Sequence, residues 1–230
     1  PENIQLTDEE QQMQYRNMRK RDLKRSESEN GLVIGSILLR GLEDEKTVLV
    51  KSSFIREEDL AIVEEFIKIL TDSYERDLGL DIKIVEEKNL TEDDKKENLI
   101  LIGYPKKTNI IKEMSPNLPI NLNEDVIKIN EVSIKNENIT GTFISENPYN
   151  NKKLSLIVFL DENCPVEQTY EIDEKKFVIS NSVIRKYNPL YNNYSHYSQF
   201  MINTKGIEIN GMYNSVDYKS NGDIPIIYRY

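Results

Sequence analysis

The sequence predicts an α/β domain of three layers, built on a mostly parallel sheet and followed by a β-rich extension. Three observations carry the prediction. The runs Asn98-Leu99-Ile100-Leu101-Ile102-Gly103 and Leu154-Ser155-Leu156-Ile157-Val158-Phe159-Leu160 are almost continuously apolar, as strands covered on both faces are. Leu60, Val63, Ile67, Leu70 and Tyr74 recur at steps of three or four, with Ile62, Phe66 and Ile69 widening the stripe; so broad a face suits a helix lying on a sheet. Strand-like and helix-like stretches alternate around these segments, the order of parallel strands joined by helical crossovers.

At the amino end, Thr7 and Glu10 form a capping-box signature for a helix. That helix is polar. Met13, Met18 and Leu23 are nearly all of its apolar stripe, so it must lean on a neighbour or connect one domain to the next. Arg16, Arg19, Lys20, Arg21, Lys24 and Arg25 concentrate positive charge over residues 16–25. The patch reads either as an electrostatic arm toward lipid or nucleic acid or, more plainly, as the solvated face of a linker. Residues 1–30 are therefore expected to be a basic helical linker or arm.

Gly31 and Gly35 punctuate an apolar run over 32–39, read as a strand, and Thr47–Lys51 is the next strand. Glu57-Glu58-Asp59 place three carboxylates in the first turn of the amphipathic helix, where its dipole favours them. Gly79 is positioned to end that helix. Ile82, Ile84 and Val85 mark a further strand before 98–103. The turn Gly103-Tyr104-Pro105 then leads to a short helix carrying Ile110, Ile111 and Met114, closed by Pro116 and Pro119. Beyond residue 120, short β-like stretches over 126–129, 132–134 and 140–144 read as hairpin-like decoration, and 154–160 as a return to the sheet. This is the order of a doubly wound domain, flavodoxin-like or Rossmann-like, over residues 31–164. Residues 165–230 are rich in Tyr and Asn and are expected to be a β-rich extension packed on the same domain.

Composition bounds the chemistry. In a chain of 230 residues a formal charge of −10 argues against a general nucleic-acid binder, because phosphate contacts need a positive face. No apolar run reaches membrane-span length. Abundant Asn, Ile and Lys with no Trp resemble a low-GC bacterial proteome. The single Cys164 cannot form an internal disulfide, and the acidic residues beside it oppose a reactive thiolate. With His196 as the sole histidine, multi-histidine metal sites are excluded; no metal or cofactor is expected. His196 reads as a loop or packing residue, with a lone general base as the sharper reading.

Phosphate-binding and nucleophile-elbow motifs are missing. Only Gly103, with Lys106, Lys107 and Asn109 after it, has the placement of an anion site, following a buried strand at a helix start. A tight structural turn explains the same residues, since Pro105 removes one donor. Asp161 and Glu162 follow the strand 154–160, at the end where α/β sheets tend to bind ligands. Tyr187, Tyr191, Tyr194, Tyr197 and Phe200 are spaced four, three, three and three apart. They read as a stacking surface for glycan or peptide, or as a segment pinned to the domain by its aromatics. The candidate ligand residues are thus Gly103, Lys106, Lys107, Asn109, Asp161, Tyr191 and Tyr194.

One pattern resembles a known module. Asn98 to Gly103 with Pro105 and Asn109, then Leu118-Pro119, then Asn147-Pro148 before the strand 154–160, is similar to an α/β accessory module. That module follows catalytic domains in some bacterial secreted or membrane-linked peptidases and esterases. The resemblance covers about the middle third of the chain and implies a companion domain with no assigned catalytic residue. An extracytoplasmic or membrane-linked setting is the favoured expectation and the cytoplasm the alternative, with other domains of a parent chain as partners and a protein or glycan as a further partner. Contact with membrane would come through the parent chain or residues 16–25. A ligand-binding module, and a hydrolase with an unrecognised acid–base pair near Asp161 or His196, are the competing expectations.

Overall fold

The computed structural model describes residues 6–72, 74–75, 78–129, 132–137, 139–161, 167–172, 175–180, 198–204 and 207–212. The helices are α1 (Asp8–Asn30), α2 (Ser36–Leu42), α3 (Glu57–Asp72) and α4 (Asn109–Met114). The strands are β1 (Thr47–Lys51), β2 (Lys83–Glu86), β3 (Asn98–Gly103), β4 (Val126–Ile129), β5 (Val132–Lys135), β6 (Ile139–Asn147), β7 (Asn150–Phe159), β8 (Glu167–Ile172), β9 (Lys175–Ser180), β10 (Phe200–Thr204) and β11 (Ile207–Gly211).

Seven strands make one mixed sheet in the order β11-β10-β6-β7-β3-β1-β2. The pairs β2·β1, β1·β3 and β3·β7 are parallel, whereas β7·β6, β6·β10 and β10·β11 are antiparallel. β2, β1, β3, β7 and β10 therefore point one way, and β6 and β11 the other.

Two apolar layers cover the sheet. On one face, Leu49, Ile100, Ile102, Leu156 and Val158 pack under Ile37 and Leu38 of α2 and Val63, Phe66 and Leu70 of α3. On the other, Val48, Val50, Leu99, Leu101, Ile157 and Phe159 meet Ile110, Ile111 and Met114 of α4 and Ile127, Ile129 and Ile134 of the β4–β5 hairpin. β3 serves both layers through alternate side chains, which is why its sequence shows no alternation. Burying its four fully covered aliphatic side chains contributes about 2 kcal/mol each.

The capping box forms as predicted: Glu10 N–H donates to Thr7 Oγ1 at 3.3 Å and Thr7 N–H to Glu10 Oε2 at 2.8 Å. α1 leans on the domain through fully buried Leu23 and half-buried Tyr15. Lys24 pairs with Glu43 at 2.7 Å and Arg16 with Asp44 at 3.5 Å, so part of the basic patch faces carboxylates that follow α2. Met13 and Met18 stay exposed. Gly79, at φ 59°, takes the left-handed conformation that favours glycine and donates its N–H to the Glu75 carbonyl.

Two expectations are corrected. The run 32–39 is not a strand. Ser36 Oγ accepts from Val33 N–H at 3.1 Å, and Ser36 opens α2, whose Ile37, Leu38, Leu39 and Leu42 are all buried. A short apolar run broken only by Gly35 and Ser36 shows no period, so its helical form was not legible. Nor is the whole of 120–145 decoration. β4 and β5 form the expected separate hairpin, but β6 enters the main sheet, its Gly141–Glu146 stretch aligned with β7 from Phe159 back to Leu154. Phe143 and Ile144 bury opposite faces of β6, which only a central position allows. The expected extension contributes β10 and β11 to this sheet and β8 and β9 to a hairpin of their own.

Candidate ligand groove at the carboxyl edge

Parallel strands gather their carboxyl ends along one edge, and the residues beyond those ends build any ligand site there. In this chain they are Ser52 to Phe54 after β1, Glu87 and Lys88 after β2, Tyr104 to Thr108 after β3, and Asp161 after β7.

The turn after β3 is filled from within. Tyr104 N–H donates to Thr108 Oγ1 at 2.9 Å, and Thr108 Oγ1 donates to Ser52 Oγ at 2.9 Å. Lys107 and Thr108 N–H both donate to the Tyr104 carbonyl, at 3.0 and 2.8 Å. Gly103 is required by this closeness, since a Cβ there would lie 2.2 Å from Thr108 Oγ1 and 2.7 Å from Ser52 Cβ. The first turn of α4 is occupied as well: Glu87 Oε1 accepts from Ile110 N–H at 2.9 Å. The backbone donors that would have held an anion near Gly103 are thus largely committed to the protein itself.

Beside the turn lies a buried polar cluster that no motif announced. Tyr104 and Asp59 are both fully buried. Tyr104 Oη donates to Asp59 Oδ2, which also accepts from Arg56 Nε and Nη2 at 2.9 and 2.7 Å. Arg56 N–H donates to Tyr104 Oη at 3.2 Å, and the guanidinium lies 5.6 Å from the Tyr104 ring centroid. Burial, then the Asp59 carboxylate, pushes the Tyr104 phenol up to about 12. Burial is also the leading influence on Arg56 and opposes its charge, but bonding to Asp59 and Tyr104 outweighs it and raises the guanidinium. The cluster joins the start of α3 to the end of β3.

Asp161 has a structural partner too. Its Oδ2 accepts from Ile139 N–H at 2.7 Å, tying the end of β7 to the start of β6. Lys106 and Asp161 line one cleft with Pro105 and Asn136, but its volume is only about 20 Å³, room for about one water.

A larger groove of about 420 Å³ lies at the ends of β1 and β2, against α4. Phe54, Leu90 and Ile110 supply its apolar surface; Lys88, Lys95, Lys107, Glu87 and Glu113 supply its charge. Phe54 is 42% exposed, with Lys107 Nζ 4.4 Å from its ring centroid and the Tyr104 ring edge-on at 5.7 Å. Lys88 N–H donates to Ser53 Oγ at 3.2 Å, fixing the chain after β2 against the chain after β1. At the far end, Tyr149 Oη donates to Glu113 Oε2 at 3.0 Å, and Lys95 Nζ bonds Glu92 at 2.9 Å. Burial, then Glu113, raises the Tyr149 phenol, so that hydroxyl stays a donor.

The candidate residues therefore separate. Lys107 and Asn109 share the groove, Lys106 and Asp161 share the small cleft, and Gly103 is packed between them. Tyr191 and Tyr194 lie outside the described residues, as do His196 and Cys164; Phe200, the described end of the tyrosine series, is buried in the core. Sequence reading missed Phe54 and Lys88, which belong to no motif. Their signal was positional only: each closely follows a strand at the carboxyl edge.

Among the described residues, no helix is long and apolar enough to cross a membrane. Comparison with known proteins gives no relative: no family model, curated protein or solved structure matches the chain.

Proposed function

We propose that this chain is a non-catalytic accessory or interaction domain of a larger bacterial, cell-surface or membrane-linked, hydrolase-like protein. The observation that carries the reading is the state of the carboxyl edge. The groups from which a catalytic site would be drawn there, Asp59, Tyr104, Thr108 and Asp161, are each engaged in hydrogen bonds to the domain's own atoms. They act as joints between strands and helices. The sequence resemblance to accessory modules of peptidases and esterases supports the same role, with other domains of a parent chain as the first partners.

At the level of fold, the reading is a flavodoxin-like variant. Taken alone, the four contiguous parallel strands run second, first, third, fourth in chain order, the order of that doubly wound class up to its fourth strand. β6, β10 and β11, each joined to its neighbour in antiparallel fashion, take the place of the strand that would continue it.

Turnover of ester and peptide substrates by the purified chain tests the functional reading. The expected result is no turnover above the uncatalysed rate. Turnover that co-purifies with the chain and disappears in Asp161→Asn or Asp59→Asn, with the fold retained by circular dichroism, supports the hydrolase reading instead.

A further inference from the structure

The groove against α4 is built differently from the rest of the carboxyl edge. Elsewhere the edge is closed by bonds within the domain; here about 420 Å³ stays open, a volume suited to a small ligand. It also adjoins the place where strand order reverses between β1 and β3, the position at which doubly wound sheets take ligands.

Its chemistry narrows the ligand. Phe54 lines the groove with a half-exposed ring, a flat surface on which another ring gains stacking energy. Leu90 and Ile110 line it as well, with Ile110 almost wholly buried. The two lining carboxylates already serve the protein: Glu87 bonds the Ile110 N–H, and Glu113 bonds the Tyr149 hydroxyl. Lys107 stands over the Phe54 ring. Lys88 reaches outward to Glu86 at 2.6 Å, with its side chain 66% exposed, so that pair is weak and open to exchange.

We propose that this groove binds a small ligand carrying a flat ring and an anionic group, the ring on Phe54 and the anion on Lys107 and Lys88. The assignment goes beyond the accessory role: it gives the domain a ligand, and it can fail while the domain remains non-catalytic.

The test uses the intact chain, with amide chemical shifts as the readout. The ring-plus-anion probes are adenosine monophosphate and indole-3-acetate at millimolar concentration; adenosine and inorganic phosphate are the half-probes. At least one full probe is expected to shift the amides of Ser53, Phe54, Lys88 and Asn109. Each half-probe should bind about tenfold more weakly or worse, a loss of about 1.4 kcal/mol. Lys88→Gln with Lys107→Gln should weaken the full probe about tenfold and flatten its salt dependence, and Phe54→Ala should weaken it with the melting curve retained. Lys106→Gln, on the far side of the turn, should change nothing. The proposal is overturned if neither full probe moves groove amides, if shifts map elsewhere, or if the lysine pair can be replaced without loss of affinity.

Discussion

Thr108 Oγ1 lies 2.9 Å from Ser52 Oγ, a hydrogen bond across 56 residues of chain that joins the end of β1 to the turn leaving β3. The bond leaves no room for a side chain at Gly103. Gly103→Ala is expected to lower the unfolding free energy by about 3 kcal/mol, because the added methyl must displace Thr108 or Ser52. Combining it with Thr108→Ala removes the nearest clash and should cost less than the sum of the single changes by about 1 kcal/mol. Urea denaturation of the two single variants and the double variant checks both figures.

Asp94 holds together the opposite, amino-terminal end of the sheet. Its carboxylate bonds Lys83 at 2.8 and 2.7 Å, Lys46 at 3.2 Å and Thr91 Oγ1 at 2.7 Å, with almost no exposure of its own. Lys83 first, then Thr91 and Lys46, overcome the opposing effect of burial and hold the carboxyl well below the usual range. A group whose folded value is depressed adds stability above its unfolded value, about 3.9 for Asp, and loses it as pH falls below that. Asp94→Asn should lower stability by about 2 kcal/mol at neutral pH, discounted for the half-exposed lysines. The gap between variant and parent should shrink below about pH 4. Thermal melts across an acid series measure it.

Tyr104 works in the other direction. Its phenol is raised from an ordinary value near 10 to about 12, first by burial and then by Asp59. Stability from the neutral phenol is therefore complete below about pH 10 and is lost as pH climbs through about 12. Tyr104→Phe should lower stability at neutral pH by about 1–2 kcal/mol, since Asp59 and the Arg56 N–H each lose a partner. It should also soften the alkaline loss, which denaturant midpoints at rising pH will show.

Tyr74 carries a fully buried hydroxyl with no hydrogen-bond partner among the described residues, and burial alone drives its phenol upward. Removing an unsatisfied buried hydroxyl removes a desolvation cost. Tyr74→Phe is expected to leave stability unchanged or raise it by up to about 1 kcal/mol. A loss larger than that in a thermal melt would show that the hydroxyl has a partner.

How much was legible follows from where each signal lay. β3 and β7 could be read because burial on both faces writes an unbroken apolar run, and α3 because a wide stripe has a period. Asn147, named above only for its Asn-Pro pairing, donates its side chain to the Lys95 and Glu97 carbonyls while accepting from Tyr149 N–H, the backbone bonding that Asn offers in turns. The place of β6 could not be read, because strand order depends on partners distant in sequence. The groove was half legible. Lys107 and Asn109 stood beside a conspicuous turn, but Phe54 and Lys88 come to it from two other strands, and only the fold brings them together.

The turn at Gly103 is closed by internal hydrogen bonds, and on the reading proposed above those bonds are architectural. Native-state hydrogen exchange measures that closure amide by amide. Tyr104, Thr108 and Ile139 N–H, bonded to Thr108 Oγ1, the Tyr104 carbonyl and Asp161 Oδ2, are expected to exchange only through opening close to global unfolding. Rapid exchange at these three amides, with β3 itself still protected, would show that these bonds do not hold the turn and would overturn its architectural role.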